Sequence, residues 1–257
     1  MDLAKELAIA ESLARQAGHM AISMQPQLRV QQKPAGEGPV SNADLALDVF
    51  ICTELKKHFP DDQLISEESY QGEAFDSCAR RVWFIDPIDG TSNYIIGGSD
   101  FVVMIGLVIN NQAVLGLIYH PSSDALWSGV LGNKISHKQQ PPYIRMVVSR
   151  HSRSKKQNLL IDKLMPSQIL QASSIGLKAM MILDGLVDFY VCWSMRVKMW
   201  DTCAPAAILA SHGCMMSFID GSPLSFSGAI AHPQAIMVAN FEPNQALFTT
   251  LKAIASN

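Results

Sequence analysis

Stretches of helical periodicity alternate in blocks with short apolar runs, which predicts a layered mixed α and β fold, an α/β protein in the broad sense. Three observations carry that expectation. The chain of 257 residues is 48% hydrophobic and only 17% charged, enough apolar side chain for one large domain or two closely packed lobes. No internal repeat, low-complexity tract or interdomain linker interrupts it. Apolar runs such as Phe101–Ile109 and Ala113–Tyr119 are bounded by turn residues, whereas Leu3, Leu7, Ala10, Ala14, Ala17 and Ala21 recur at helical spacing.

Residues 1–25 read as an opening helix built on that stripe, and the Gly- and Pro-rich segment 31–39 as a polar loop. A second helix is expected over 43–59, capped by Ser41 or Asn42, with Leu45, Val49, Cys52 and Leu55 as its inner stripe. Pro60-Asp61-Asp62 stops it. Gln63–Ser66 and Val82–Ile85 read as short strands and Phe101–Ile109 as a long one. Asn110-Asn111 turns the chain back into Ala113–Tyr119, and Ala125–Leu131 continues the meander. Residues 132–142 are polar and loop-like. Val147-Val148 opens a second lobe, so the expected division is an N-terminal α+β lobe over 1–148 and a C-terminal α/β lobe over 149–257. In the latter, 173–186 and 202–213 read as helices, with Pro205 in the first turn of the second, where a missing N–H costs little. Asp188–Cys192, Met215–Phe218 and Ala235–Val238 read as strands, and 243–256 as a closing helix.

Net charge is −3, without the basic excess of a protein that binds nucleic acid polymers. No run approaches the roughly 18 uninterrupted apolar residues of a membrane span. The N-terminal stretch mixes charged residues from Asp2 onward and lacks a signal core, so a soluble, cytoplasmic protein is expected. The five cysteines are odd in number and lack CxxC spacing. That argues for free, mostly buried thiols rather than disulfides or structural zinc. A monomer or homodimer is expected.

The most informative stretch is Trp83-Phe84-Ile85-Asp86-Pro87-Ile88-Asp89-Gly90-Thr91. An apolar strand runs into two carboxylates three positions apart, followed by Gly-Thr as a plausible turn into a helix. Carboxylates are hard oxygen ligands suited to magnesium. Gly90 permits close backbone approach, and N–H groups at a helix start hold phosphate oxygens. An ordinary turn with solvated Asp residues is an alternative of equal weight. Upstream, Leu64-Ile65-Ser66-Glu67-Glu68 ends a strand with paired acids, which alone fits a solvated strand end. Downstream, Asp201 in Met199-Trp200-Asp201-Thr202 precedes a helix, which alone fits an N-cap. Three acidic sites, each at the end of an element, are expected to converge.

That order, a strand ending in two Glu, then W-x-I-D-P-I-D-G-T, then W-D-T, resembles the inositol monophosphatase superfamily over nearly the whole chain. The resemblance implies a layered αβαβα sandwich and a magnesium-dependent, lithium-inhibited phosphatase acting on a small phosphorylated substrate. It implies that Glu67, Asp86 and the Ile88 carbonyl surround one magnesium ion, with Thr91 beside it. Asp86, Asp89 and Asp201 surround another, in a centre of two or three ions. Gly90 and Thr91 would bind phosphate through their N–H groups. Asp44, in Pro39-Val40-Ser41-Asn42-Ala43-Asp44, would act with Thr91 to activate water, so Asp44, Thr91 and Glu67 form the implied catalytic set. Ser41 stands where the family usually has Thr.

Two branches compete for the substrate. The inositol enzymes carry a Glu seven residues before the last metal-binding Asp, where this chain has Ser194. Trp200-Asp201-Thr202-Cys203-Ala204-Pro205, with Lys198 before it, looks more like the 3′(2′),5′-bisphosphate nucleotidases. Ser173-Ser174-Ile175-Gly176-Leu177-Lys178 looks like the corresponding helix start of CysQ-type members, and Ser149-Arg150-His151 less closely like another of their segments. Ser174, Lys178 and Lys198 are therefore the implied substrate contacts, and an adenine nucleotide the implied partner. Arg196 is a further candidate anion contact. Each has an ordinary alternative: solvated lysines, a helix cap, a structural histidine. Thr91-Ser92-Asn93-Tyr94 is closer to the inositol branch. Adenosine 3′,5′-bisphosphate is the leading expectation, with an inositol phosphate as the alternative and a non-catalytic binding module as the reading from another class.

Overall fold

In the computed structural model, residues 2–33, 38–72, 80–132, 135–150 and 153–256 are described; His151 and Cys78 lie outside them. Helix α1 (Ala4–Met24) leads through a 3₁₀ turn at Gln25–Gln27 into an antiparallel pair, β1 (Val30–Gln32) with β2 (Pro39–Ser41). Helix α2 (Asn42–His58) follows. A five-stranded sheet comes next, from β3 (Gln63–Ser66), β4 (Arg81–Asp89), β5 (Val102–Ile109), β6 (Gln112–His120) and β7 (Ala125–Val130), in that order across the sheet. β3 and β4 are parallel and the rest antiparallel. The short α3 (Thr91–Ile95) leaves β4.

After β8 (Lys138–Gln139), the chain forms β9 (Arg145–Ser149), α4 (Lys155–Leu164), β10 (Gln168–Ala172), α5 (Ile175–Leu183), β11 (Phe189–Cys192), α6 (Met199–Ser211), β12 (Met215–Phe218), β13 (Ile236–Ala239), β14 (Phe241–Glu242) and α7 (Gln245–Ala255). Its second sheet has the order β10-β9-β11-β13-β12.

Strand alternation sorts the core into layers. Trp83, Ile85, Val103, Ile105 and Leu117 face α1 and α2. Val82, Phe84 and Val108 face the other way, onto Met199, Trp200, Cys203 and Ala207 of α6. Met104 and Ile118 meet Ala179 and Met180 of α5, Ile208 of α6, and Val147, Tyr190 and Val238 of the second sheet. The far face of that sheet packs Met146, Phe189 and Met237 under Leu160 of α4 and Leu247 and Leu251 of α7. The result is the expected αβαβα sandwich.

Three glycines fix the middle layer. Gly106, Gly116 and Gly129 are cross-strand neighbours on β5, β6 and β7. A Cβ on Gly116 would strike the Ala204 carbonyl oxygen, one on Gly129 the Ser211 Oγ, and one on Gly106 the Cys203 Sγ. The row lets α6 lie directly on the sheet backbone.

The structure departs from the sequence expectations in several places. The segment 31–39 is not all loop, because its ends pair as β1 and β2. The buried face of α2 is Ala43, Leu47, Ile51 and Leu55, with Asp44 and Asp48, while Leu45 and Val49 are exposed. Burying the two acids turns the helix away from its expected stripe. α4 and β10 were not anticipated. α6 starts at Met199, one turn before the expected 202, so Pro205 lies in its interior. Pro205 offers no N–H to the carbonyl four residues earlier, that of Asp201. Four cysteines, Cys52, Cys192, Cys203 and Cys214, are free. Among the described residues, no helix is long and apolar enough to cross a membrane.

Candidate functional site

Parallel pairing of β3 with β4 sets two strand ends side by side. The Glu67 N–H, just beyond β3, donates to the Ile85 carbonyl at 3.1 Å, which places Glu67 next to Asp86. β4 does not end at Ile85 but runs on through Asp86-Pro87-Ile88-Asp89. Residues three apart on a regular strand point to opposite faces. Here the register slips: Asp86 pairs with Met104 and Asp89 with Val102, so three steps on β4 match two on β5. The extra residue is a β-bulge around Pro87, a position where a missing N–H is tolerated. It turns Asp86 and Asp89 to the same face, the one α5 and α6 cover, while Ile88 packs under α1 and α2.

α6 supplies the next acid. Asp201 is not the N-cap expected from sequence. It is the third residue of the helix, and its Oδ2 accepts the Lys198 N–H at 2.6 Å. Carboxylate oxygens of Glu67, Asp86 and Asp201 all lie within 4.8 Å of one another. Asp89 stands beside this trio, close enough for its charge to act on Asp86 and Asp201. Its Oδ2 accepts from the Ser174 hydroxyl and the Gly176 N–H, both at 2.6 Å.

Burial, and then the charge of Glu67, holds the Asp86 and Asp201 carboxyls well above the usual carboxylate range. Glu67 is also raised, by burial first. Three closely spaced, desolvated carboxylates with hard oxygen donors fit a divalent cation such as magnesium. The same shifts give a test. A carboxyl with a raised pKa keeps its proton to higher pH, and a metal must displace that proton. Magnesium binding is therefore expected to release protons and to weaken as pH falls. Calorimetry in buffers of different ionisation enthalpy measures both. Affinity independent of pH, with no proton release, would contradict these shifts.

A second group of residues adjoins the trio. Ser41 caps α2, accepting the Ala43 and Asp44 N–H groups. Asp44 answers with Oδ2, which accepts the Ser41 N–H at 2.8 Å and the Ser41 hydroxyl at 2.6 Å. The other oxygen of Asp44, Oδ1, lies 3.2 Å from Thr91 Oγ1. The Thr91 hydroxyl has one proton and two acceptors, since the Ile88 carbonyl is 2.9 Å away. Burial raises the Asp44 pKa. Gly90 starts α3 at φ 104°, where a Cβ would meet the Asp100 carbonyl at 2.6 Å, so only glycine suits the bend.

The residues expected to contact substrate are placed differently. Ser174 is fully buried; its hydroxyl donates to Asp89 and accepts the Leu177 N–H, capping α5. Lys178 is buried too, its Nζ donating to the Ser173 carbonyl at 3.1 Å and lying 5.0 Å from the Tyr190 ring centroid. Both stand behind Asp89. Lys198 is half-buried beside Asp201, with Nζ 5.4 Å from the Trp200 ring centroid. Arg150 pairs with Asp100 at 2.7 Å, and Arg196 is exposed. One site residue escaped the sequence reading. Lys33 Nζ lies 2.7 Å from Glu67 Oε1 and 2.8 Å from Glu68 Oε1. It sits in the segment read as a polar loop, and no local spacing ties it to acids far along the chain.

Known proteins resemble this chain over nearly all of its length. The model of the inositol monophosphatase family matches residues 2–254. An inositol-1-monophosphatase of Bacillus subtilis is 26% identical over 233 residues, covering 85% of this chain and 87% of that protein. A 3′(2′),5′-bisphosphate nucleotidase CysQ of Aggregatibacter actinomycetemcomitans is 27% identical over 230 residues, covering 84% and 85%. Among solved structures, an IMPase of Thermotoga maritima superposes with a TM-score of 0.81 at 23% identity, covering 98% of each chain.

Proposed function

Given that the chain belongs to the inositol monophosphatase family, metal-dependent hydrolases of phosphomonoesters, we propose that it removes the 3′-phosphate of adenosine 3′,5′-bisphosphate. The observation that supports this substrate most is at the turn between β11 and α6. Ser194, not a carboxylate, stands seven residues before Asp201; it is exposed, and its Oγ accepts the Arg196 N–H at 3.2 Å. A neutral side chain flanked by Arg196 and Lys198 suits a second phosphate better than the hydroxyls of a sugar-like ring.

In this reading Glu67, Asp86 and the Ile88 carbonyl would hold one magnesium ion, and Asp86, Asp89 and Asp201 would hold another, in a centre of two or three. When bound, the ions supply Lewis acidity toward phosphoryl oxygens and lower the pKa of water. The chain's own groups do the rest. Asp44 and Thr91 orient a water and take up its proton, with Ser41 holding the Asp44 carboxylate still. Gly90 and Thr91 offer N–H groups to the phosphate. Ser174 and Gly176 fix the Asp89 carboxylate, and Lys178 keeps positive potential behind it. Lys198 meets the substrate beside Asp201. No covalent nucleophile is needed, because positioning and charge stabilisation lower the barrier.

Rates measured side by side with saturating magnesium test the substrate. Adenosine 3′,5′-bisphosphate is expected to be hydrolysed with kcat/KM at least about 10-fold above inositol 1-phosphate, a margin of about 1.4 kcal/mol. A clear preference for inositol 1-phosphate would overturn the assignment and favour the other branch, toward which the Thr91-Ser92-Asn93-Tyr94 segment leans.

A further inference from the structure

We propose that His232 is a positioning residue for Asp201, acting through the Thr202 hydroxyl to fix the rotation of the first turn of α6. The inference rests on Asp201 being a metal ligand. The segment between β12 and β13, residues 219–235, straps back over that turn. Two backbone bonds carry the strap: the Met199 N–H donates to the Ile230 carbonyl and the His232 N–H to the Val197 carbonyl, both at 2.9 Å. Side chains add a third tie. His232 Nε2 lies 2.8 Å from Thr202 Oγ1, and that hydroxyl is 3.2 Å from the Met199 carbonyl. Burial pushes the imidazole pKa down to about 4, so the ring is neutral near pH 7. With its proton on Nε2, the ring donates to Thr202, and Thr202 donates on to Met199.

Stability alone does not explain this pair. Thr202 is fully buried and His232 is 3% exposed. The imidazole stands edge-on to Phe218 and Phe226, with ring centroids 5.7 Å and 6.2 Å away. Apolar side chains of the same shape would fill that space without desolvating polar groups. What they lack is direction, since a hydrogen bond weakens steeply off its angle and an apolar contact does not. Direction is needed at this turn. Pro205 has no N–H for the Asp201 carbonyl, so the helix does not brace the turn with that bond. Asp201 directly precedes Thr202, and rotation of the turn would swing its carboxylate away from Glu67 and Asp86. The same pocket reaches the facing strand: the Phe226 ring lies 6.2 Å from that of Phe84, two residues before Asp86 on β4. His232 thus refers the turn that carries Asp201 to the strand that carries Asp86.

Magnesium affinity by titration calorimetry and thermal melts without metal, both on the whole protein, separate positioning from packing. The double variant Thr202→Val, His232→Phe removes both polar partners and leaves neither orphaned, so its Tm is expected to stay near that of the wild type. Its magnesium affinity is expected to fall on the order of tenfold, the scale of losing a group that orients a metal ligand. Thr202→Ser gives the opposite pattern. It opens a methyl-sized cavity and lowers Tm, yet keeps the hydroxyl and with it the affinity. Thr202→Val alone serves if the double variant does not fold, and it too should lose affinity. Wild-type affinity in the folded double or Thr202→Val variant, or affinity that merely follows Tm across the set, would overturn the positioning role. A wild type that binds no magnesium would overturn it together with the metal site beneath it.

Discussion

Asp201→Asn is expected to lower kcat/KM by on the order of 10³-fold or more while raising the melting temperature of the metal-free protein. The two effects have one cause. Asn has nearly the same shape, and its amide oxygen can still accept the Lys198 N–H that Asp201 accepts at 2.6 Å, so the start of α6 is kept. What disappears is a negative charge. For turnover, that charge would hold the metal in the proposed mechanism. For stability, it is a burden, because burial and then the nearby Glu67 push the Asp201 carboxyl well above its ordinary range. A carboxyl raised in the fold binds its proton more tightly there than in the unfolded chain. Stability is then lost as pH climbs above the ordinary Asp value of about 3.9 and through the folded pKa. Removing the charge should restore that loss at neutral pH and leave acid stability unchanged. Steady-state rates and thermal melts without metal, each at two pH values, check both signs. Normal turnover in a folded variant would remove Asp201 from the metal site.

Gly116→Ala is expected to destabilise the protein despite being the smallest possible addition. The strand conformation at Gly116 is open to any residue, so backbone freedom is not the issue. The new methyl would press on the Ala204 carbonyl oxygen, which belongs to a helix held on its other side by the second sheet. Overpacking of this kind costs roughly 1–3 kcal/mol. Each kcal/mol lowers Tm by about 2–4 °C in a chain of this size. Displacing α6 also displaces Asp201, so magnesium affinity should fall with Tm. An unchanged melting point would mean that α6 can slide on the sheet.

The acids of the site were legible because each sits beside a strong local signal. Glu67 follows the short apolar strand β3, Asp86 follows the apolar run Val82–Ile85 within β4, and Asp44 opens a capped helix. Their convergence was legible only through the joint order of the three motifs. Other features were hidden for physical reasons. The bulge at Pro87 is set by pairing with β5, which no local pattern announces, so the common facing of Asp86 and Asp89 was not readable. The face of α2 was misjudged because Leu45 and Val49 are as apolar as Leu47 and Ile51, and the choice depends on burying Asp44 and Asp48. Helix α4 buries only Gln157 and Leu160, too little apolar repetition to mark it. Ser174 was read as a substrate contact from its motif, whereas the structure commits its hydroxyl to Asp89. Lys33 shows the limit most plainly, since its partners lie more than thirty residues away and a loop lysine carries no sign of them.

Helices α5 and α6 are covered by one sheet on each side, so neither half of the polypeptide has a complete interior of its own. One apolar face of the N-terminal meander is covered by residues 199–211, which lie far along the chain. The same late segment carries Asp201. The acid that completes the cluster is therefore carried by the helix that closes the sheet over the other three.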